Sequence, residues 1–268
     1  MTLEEAIQRA NEGDTKCMVM IGDYYGSNED LEMVEQFRQA LPWYERAAAV
    51  GDPNGLNKAA MIYDIWGAAH KDQGFWDSAL DYYGRALANI DEILQYPNLN
   101  EKTVPSLIER KINDSYEVAF CKYVLEYDKL EIIESLSEVV KMENAIKPQM
   151  LVAVCSLNIS SDTFRGNMVK ENLPRIKKAF NESKTLLNIF ETEDLTSVFS
   201  SLGFFEELEL SKGYSYLSTF YQKNDPNRAY NILLRGYQAV KNDDIKKLFV
   251  DQLSHYKKKM FGGYQYIE

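Results

Sequence analysis

The sequence predicts an all-α fold of stacked antiparallel helix pairs with no sheet, and two observations carry that prediction. First, the segment ALPWYERAAAVGD at residues 40–52 matches ALDYYGRALANID at residues 79–91 with a constant offset. Second, both segments place large aromatic residues beside alanines, as in helices that cross closely. An offset in the high thirties is too long for one helix and too short for a domain. It suits a helix–turn–helix unit that stacks on copies of itself.

The composition and the charge narrow the classes of function. The 268 residues are 45% hydrophobic and 26% charged, as in ordinary folded proteins, and the longest apolar runs are too short to span a membrane. Residues 1–134 carry 12 Lys/Arg and 25 Asp/Glu, whereas residues 135–268 carry 18 and 16. Nucleic-acid binding needs a basic surface, so the acidic N-terminal half argues against it and favours a partner of basic character.

The N-terminal segment and the cysteines predict a cytoplasmic protein. The N-terminal segment lacks the basic head and the apolar stretch of a signal peptide. Instead, Thr2 and Glu5 have the spacing of a capping box at the start of a helix. Cys17, Cys121 and Cys155 are scattered and odd in number. We therefore expect reduced, buried thiols and no metal site.

Each of the first two repeats is predicted to be a pair of helices. The first helices share a large residue, an apolar–small pair and then an aromatic ring. In the first repeat these are Met18, Ile21, Gly22 and Tyr25, and in the second they are Tyr63, Trp66, Gly67 and His70. The second helices share alanine, tyrosine, alanine: Ala40, Tyr44 and Ala47, then Ala79, Tyr83 and Ala86. We expect the small residues at the helix crossings and the rings in the adjoining space. Ala10, near the end of the first helix, is expected to pack less closely.

A third copy of the pattern lies near the C-terminus. Its positions are Tyr214, Leu217, Ser218 and Tyr221, followed by Ala229, Leu233 and Gly236. Asp225-Pro226 precedes the second helix of this copy, and Asp52-Pro53 lies between the first two repeats. Asp followed by Pro is a helix-start signal, because Asp caps the helix and Pro fits its first position.

These patterns resemble tetratricopeptide repeats, and the longer loop around SNEDLE with the WYERAAAVGD ending resembles the Sel-like subfamily. The resemblance covers about residues 14–95 and 208–241. It implies a right-handed α-α superhelix, a helical-repeat solenoid in which the first helix of each pair lines a concave groove. Transferred to matching positions, the groove residues are Lys16, Val19, Asp23, Met61, Asp64, Ala68, Lys71, Asp72, Lys212, Ser215, Thr219, Gln222 and Lys223.

The middle of the chain, about residues 97–205, departs from the pattern but still predicts helices. Apolar residues at helical spacing, or neighbouring predicted helices, indicate helices over residues 107–127, 129–146, 166–190 and 195–222. The first two are expected to form an antiparallel pair, and Pro174 should kink or start a helix. Residues 150–159 are ambiguous between a strand and a buried helix, and their surroundings favour a helix. We expect residues 1–268 to form a single repeat domain with degenerate repeats in the middle.

The C-terminal segment predicts a capping helix over about residues 242–261. Its acidic residues come first and its lysines last, which matches the helix dipole, and Gly262-Gly263 would end it. A polar terminal helix covers the exposed end of a repeat stack. The alternative is that YQYIE, residues 264–268, is a short extended segment offered to a partner strand.

No motif in the sequence predicts catalysis. His70 occupies a core aromatic position, and His255 has no cysteine or histidine at ligand spacing. Acidic pairs such as Glu206 and Glu207 are expected on the solvated surface. We therefore expect no enzyme activity, no cofactor and no metal.

The function expected from these patterns is that of a non-catalytic scaffold that binds a protein or a peptide on the concave face. The charge predicts a partner of basic character, with no nucleic acid and no membrane. Two alternatives stay open. One is a regulator in which a peptide or small ligand changes the superhelix pitch, and the other is an enzyme with a site in the irregular middle. The sequence leaves the oligomeric state open.

Overall fold

Helices make up almost all the regular structure of the chain. The computed structural model describes residues 1–164, 181, 185–258 and 262–267. Its contacts divide the chain into two compact units, Met1–Leu125 and Glu126–Glu268. The prediction of an all-α protein is confirmed apart from one short hairpin. The continuous superhelix and the single domain stay predictions.

Six consecutive helices form the first unit. They are α1 Leu3–Asn11, α2 Thr15–Gly26, α3 Met33–Ala48, α4 Pro53–Asp72, α5 Trp76–Ile93 and α6 Val104–Val124. Each helix packs against the next, and α2 also contacts α4. The predicted helix starts are confirmed: Thr2 and Glu5 form a capping box, and the Asp52 side chain accepts hydrogen bonds from the backbone at the start of α4.

Small residues lie at the helix crossings of the first unit, as the repeat predicts. A Cβ atom on Gly22 would stand 2.4 Å from the ring of Tyr44, and one on Gly67 would stand 2.9 Å from the ring of Tyr83. The four repeat alanines are fully buried: Ala40, Ala47, Ala79 and Ala86. The same glycine–tyrosine contact therefore recurs in both repeats and sets how closely their helices approach.

Ala10 packs more closely than expected. It is fully buried and belongs to the same apolar cluster as Cys17, Ile21 and Ala47. Its carbonyl oxygen also accepts a hydrogen bond from Arg46 Nη2 at 3.2 Å. The expectation of looser packing is wrong because α1 covers the outer side of the first repeat.

The second unit contains shorter helices and one hairpin. Its elements are α7 Lys129–Ser135, α8 Ile146–Phe164, α9 Ile189–Thr192, α10 Thr196–Ser201, α11 Phe204–Tyr221, α12 Pro226–Ala239, α13 Asp243–Ser254, β1 Tyr256–Lys258 and β2 Tyr264–Tyr266. The third repeat is confirmed as a helix pair, since α11 packs on α12. A Cβ atom on Gly236 of α12 would stand 2.5 Å from the ring of Phe249.

The helices predicted in the middle of the chain are confirmed in part. Residues 150–159 lie within α8, so the helical reading is correct. The predicted helix over 129–146 is wrong beyond Ser135. There the chain turns to bury Leu136 and Val139, and Asn144 has a φ of 65°, which ordinary helix geometry excludes. Pro174 and most of the predicted helix over 166–190 lie outside the described residues.

The C-terminal helix ends earlier than predicted. It stops at Ser254, and Tyr256–Lys258 then pairs antiparallel with Tyr264–Tyr266. The rings of Tyr256 and Tyr264 pack on Tyr230, with centroid distances of 5.9 and 3.6 Å. The prediction of no sheet is therefore wrong, because this ring packing holds the segment extended. The alternative of an extended tail is correct, although its partner strand belongs to the same chain.

Glu206 and Glu207 are buried, contrary to the expectation of a solvated surface. Glu207 Oε1 accepts hydrogen bonds from the backbone N–H groups of Lys241 and Asn242, at 2.5 and 2.9 Å. These groups lie in the turn that starts α13, where an anion is favourable. The carboxylate thus ties α11 to the α12–α13 turn.

The cysteines match the expectation. Cys17, Cys121 and Cys155 are buried and form no disulfide, and burial raises the pKa of the Cys155 thiol to about 12.

Across the described residues, no helix has the length and apolarity that crossing a bilayer requires.

We expect Gly22→Ala to destabilise the protein by about 1–3 kcal/mol, because the added carbon has no room beside the ring of Tyr44. Gly84→Ala, in α5, is the matched control. A Cβ atom there meets nothing within 4 Å, so this variant should gain up to about 1 kcal/mol of stability from helix propensity. Chemical denaturation measures both changes. Equal effects of the two substitutions would contradict the packing described here.

Candidate functional site

Three ion pairs connect the first helices of successive pairs in the first unit. Lys58 Nζ of α4 lies 2.9 Å from Asp23 Oδ1 of α2. Arg110 Nη2 of α6 lies 2.7 Å from Asp64 Oδ2 of α4, and Lys71 Nζ of α4 lies 2.7 Å from Glu117 Oε2 of α6. We call the surface that carries these six side chains the bridged face. It is formed by α2, α4 and α6.

The bridged face includes five of the eight groove residues predicted in the first unit. Three of them, Asp23, Asp64 and Lys71, are partners in the ion pairs. Met61 lies three residues before Asp64, and Ala68 four residues after it, so both are on the same side of α4. The structure leaves four predicted residues exposed, Lys16, Met61, Ala68 and Asp72, and leaves Val19 half-buried.

The other predicted groove residues belong to the second unit. Lys212 forms an ion pair with Glu209 on the same helix, at 2.6 Å. The carbonyl oxygen of Ser215 accepts hydrogen bonds from the hydroxyls of Ser218 and Thr219. Gln222 is half-buried at the end of α11, and Lys223 is exposed. Among the described residues of the second unit, these side chains form no ion pair between helices.

Sequence reasoning missed the cations that balance the aspartates of the bridged face. Lys58 pairs with Asp23, and Arg110 pairs with Asp64. Lys58 could have been found, because it lies three residues before Met61 and therefore on the same side of α4. Arg110 could not, since α6 lies in the part of the chain without a repeat match. Asp23 and Asp64 on the bridged face are therefore each paired with a cation.

A pocket of about 260 Å³ opens between α2, α3 and α4. Tyr44 Oη donates a hydrogen bond of 2.7 Å to Asp23 Oδ1, which also accepts the bond from Lys58. Burial and the acceptor Asp23 raise the pKa of Tyr44, so its hydroxyl stays protonated. Apolar residues complete the lining: Phe37, Ala40, Met61 and Ile62. The pocket thus combines one charged network with an apolar wall.

A larger cleft of about 580 Å³ lies between the start of α4, the α5–α6 loop and α6. Four asparagines contribute to its lining: Asn54, Asn57, Asn98 and Asn100. Arg110 reaches the cleft and donates from Nη1 to Asn57 Oδ1 at 2.6 Å. Carboxamides both donate and accept hydrogen bonds, so the cleft combines these groups with apolar lining residues such as Ile93, Leu99 and Leu107 and carries little net charge.

A buried carboxyl pair lies behind Arg110. Asp114 is 5% exposed, and within the described part of the chain neither Asp64 Oδ1 nor Asp114 Oδ2 accepts a hydrogen bond. Burial raises the pKa of Asp114 to about 8, the charges of Asp64 and Glu117 add to this, and Arg110 opposes it. A proton on Asp114 lets the two carboxyl groups share a hydrogen bond, so the pair carries one charge at neutral pH.

Among the described residues, no group of three or more His, Cys, Asp or Glu side chains is placed to hold a metal ion. His70 packs against Tyr82 with centroids 5.0 Å apart, and its Nδ1 lies 2.8 Å from the carbonyl oxygen of Trp66. This histidine occupies a core aromatic position, as predicted.

Comparison with known proteins identifies no relative: no family model and no curated protein matches the chain. The resemblance to tetratricopeptide repeats accordingly stays a prediction. The structure shows that the glycine–tyrosine contact recurs between Gly22 and Tyr44 and between Gly67 and Tyr83.

We expect stability to fall as the pH rises from about 4 to about 8, because of Asp114. Its folded-state pKa is raised to about 8 from an ordinary value of 3.8. Between these values the folded state binds a proton that the unfolded state has lost, so each increase in pH favours unfolding. Asp114→Asn is neutral at every pH and should remove this slope. Chemical denaturation between pH 4 and pH 9 measures it.

Asp72→Asn is the control, because Asp72 is an exposed aspartate near the end of the same helix as Asp64. It should keep the pH profile of the wild type. An unchanged slope in Asp114→Asn would show that Asp114 is already ionised at neutral pH.

Proposed function

We propose that the chain is a non-catalytic binding module that holds a peptide or a protein segment on the bridged face. The observation that carries this proposal is a face whose helices are joined by ion pairs and whose apolar side chains are partly exposed. Ion pairs hold α2, α4 and α6 together, yet Met61 is 43% exposed beside an open pocket. Met20, three residues before Asp23, is 49% exposed on α2. A rigid surface loses little conformational entropy on binding.

The charge of the bridged face favours recognition of neutral groups. The positive charges of Lys58 and Arg110 offset the negative charges of Asp23 and Asp64, so the charge of this surface does not by itself favour a basic ligand. The acidic surplus of residues 1–134 remains. A partner of basic character would therefore gain mainly in its rate of encounter, through long-range attraction. We propose that the bound segment is held through its backbone and its apolar side chains.

Two substitutions on the bridged face test the proposal. Peptides are first selected from a random display library with the full chain as bait, and their affinity is measured by fluorescence anisotropy. Met61→Arg and Ala68→Arg should each weaken binding at least about tenfold, since the added cation must lose water or block the ligand.

The controls carry the same change at exposed residues elsewhere in the first unit. Met33→Arg, at the start of α3, and Ala88→Arg, on α5, should bind like the wild type. If both face variants bind as tightly as these controls, the bridged face is not the binding site.

A further inference from the structure

The pocket between α2, α3 and α4 contains an unused acceptor beside an unused donor. Both hydrogen bonds to Asp23, from Tyr44 and from Lys58, end on Oδ1. Oδ2 receives none from the residues that the structure describes. The Lys58 ammonium group has three N–H donors, and Asp23 takes one of them. Two neighbouring groups that line the pocket can therefore still accept and donate.

This pairing matches the backbone of an extended peptide. In an antiparallel strand pair, one residue directs both its N–H and its C=O toward the partner strand and exchanges two hydrogen bonds with it. Asp23 Oδ2 can accept from such an N–H group, and Lys58 Nζ can donate to the C=O group. The Tyr44 hydroxyl stabilises the carboxylate in this position, because it donates to the other oxygen.

The size and the lining of the pocket limit what it can hold. Its volume of about 260 Å³ is below the roughly 300–1,000 Å³ of pockets that enclose drug-sized ligands. Phe37, Ala40 and Ile62 supply apolar surface. The space and the lining suit one apolar side chain together with its own backbone.

We infer that this pocket binds one apolar residue of an extended peptide, whose N–H donates to Asp23 Oδ2 and whose C=O accepts from Lys58 Nζ. The side chain of that residue packs against Phe37 and Ile62. This inference rests on the proposed function and names the chemistry of the residue that anchors the ligand.

The smallest probe of this site is N-acetyl-leucine N′-methylamide, which presents one leucine with both backbone groups. A ligand of this size should bind the full-length chain with a Kd of about one millimolar. Titration is followed by NMR on the ¹³C-labelled methyl group of Met61, which lines the pocket. The depsipeptide analogue, with an ester oxygen in place of the leucine N–H, should bind about five- to tenfold more weakly, because Asp23 then meets no donor.

Substitutions in the protein test the hydrogen bond from Lys58 and the space in the pocket. Lys58→Met should weaken the amide probe about five- to tenfold, through loss of a charge-assisted hydrogen bond. Lys102→Met removes the same charge from an exposed lysine that does not line the pocket and should leave the affinity unchanged. Gly26→Leu should abolish the shift of Met61. Its Cβ atom would lie 3.5 Å from the Tyr44 hydroxyl oxygen, which is an ordinary contact, and the rest of the side chain would fill the pocket.

Each outcome supports or overturns the inference. A saturable Met61 shift that is weaker with the depsipeptide and in Lys58→Met supports it. Equal affinities of the amide and ester probes, or of Lys58→Met and Lys102→Met, overturn it, and neither comparison depends on the folding of Gly26→Leu. Absence of any Met61 shift also overturns it. If selected peptides still bind and Ala68→Arg weakens them, the proposed function survives and only the anchor pocket is lost.

Discussion

The contact between a tyrosine ring and a glycine of the neighbouring helix is the constraint on which the first unit depends. Gly22 has no side chain, so the ring of Tyr44 lies directly against α2. The next residue along α2 is Asp23, and the Tyr44 hydroxyl reaches its carboxylate. That carboxylate in turn holds Lys58 of α4. One packing contact therefore positions the charged network of the pocket, because the hydroxyl and the ring belong to the same side chain.

The second repeat keeps the packing but has no carboxylate directly after its glycine. Gly67 corresponds to Gly22, and Tyr83 packs on it as Tyr44 does in the first repeat. The residue after Gly67 is Ala68, however, whose side chain cannot accept a hydrogen bond. The helix crossing is therefore the same in the first two repeats. The carboxylate beside the tyrosine hydroxyl, in contrast, depends on the one residue that follows the glycine.

The sequence predicted those features that depend on neighbouring residues or on the repeat itself. The capping box at Thr2, the Asp-Pro helix starts and the glycine–tyrosine contacts are of this kind. Features that depend on distant residues were missed. Glu207 is buried because a turn more than thirty residues later needs its carboxylate. The C-terminal strands form where Tyr264 meets Tyr230. In the candidate site, Arg110 was missed because α6 has no repeat match to place it against α4.

The glycine–tyrosine contact has a consequence for how such a chain diversifies after duplication of a repeat. The glycine and the tyrosine form this crossing in the first two copies, whereas the third copy has Ser218 and Leu233 at these positions. The residue after the glycine lies outside the crossing but close to the tyrosine hydroxyl, and it is aspartate in one copy and alanine in the other. A further copy that keeps the glycine and the tyrosine would therefore keep the crossing, while a single codon change at the adjacent position would add or remove the carboxylate beside the tyrosine hydroxyl.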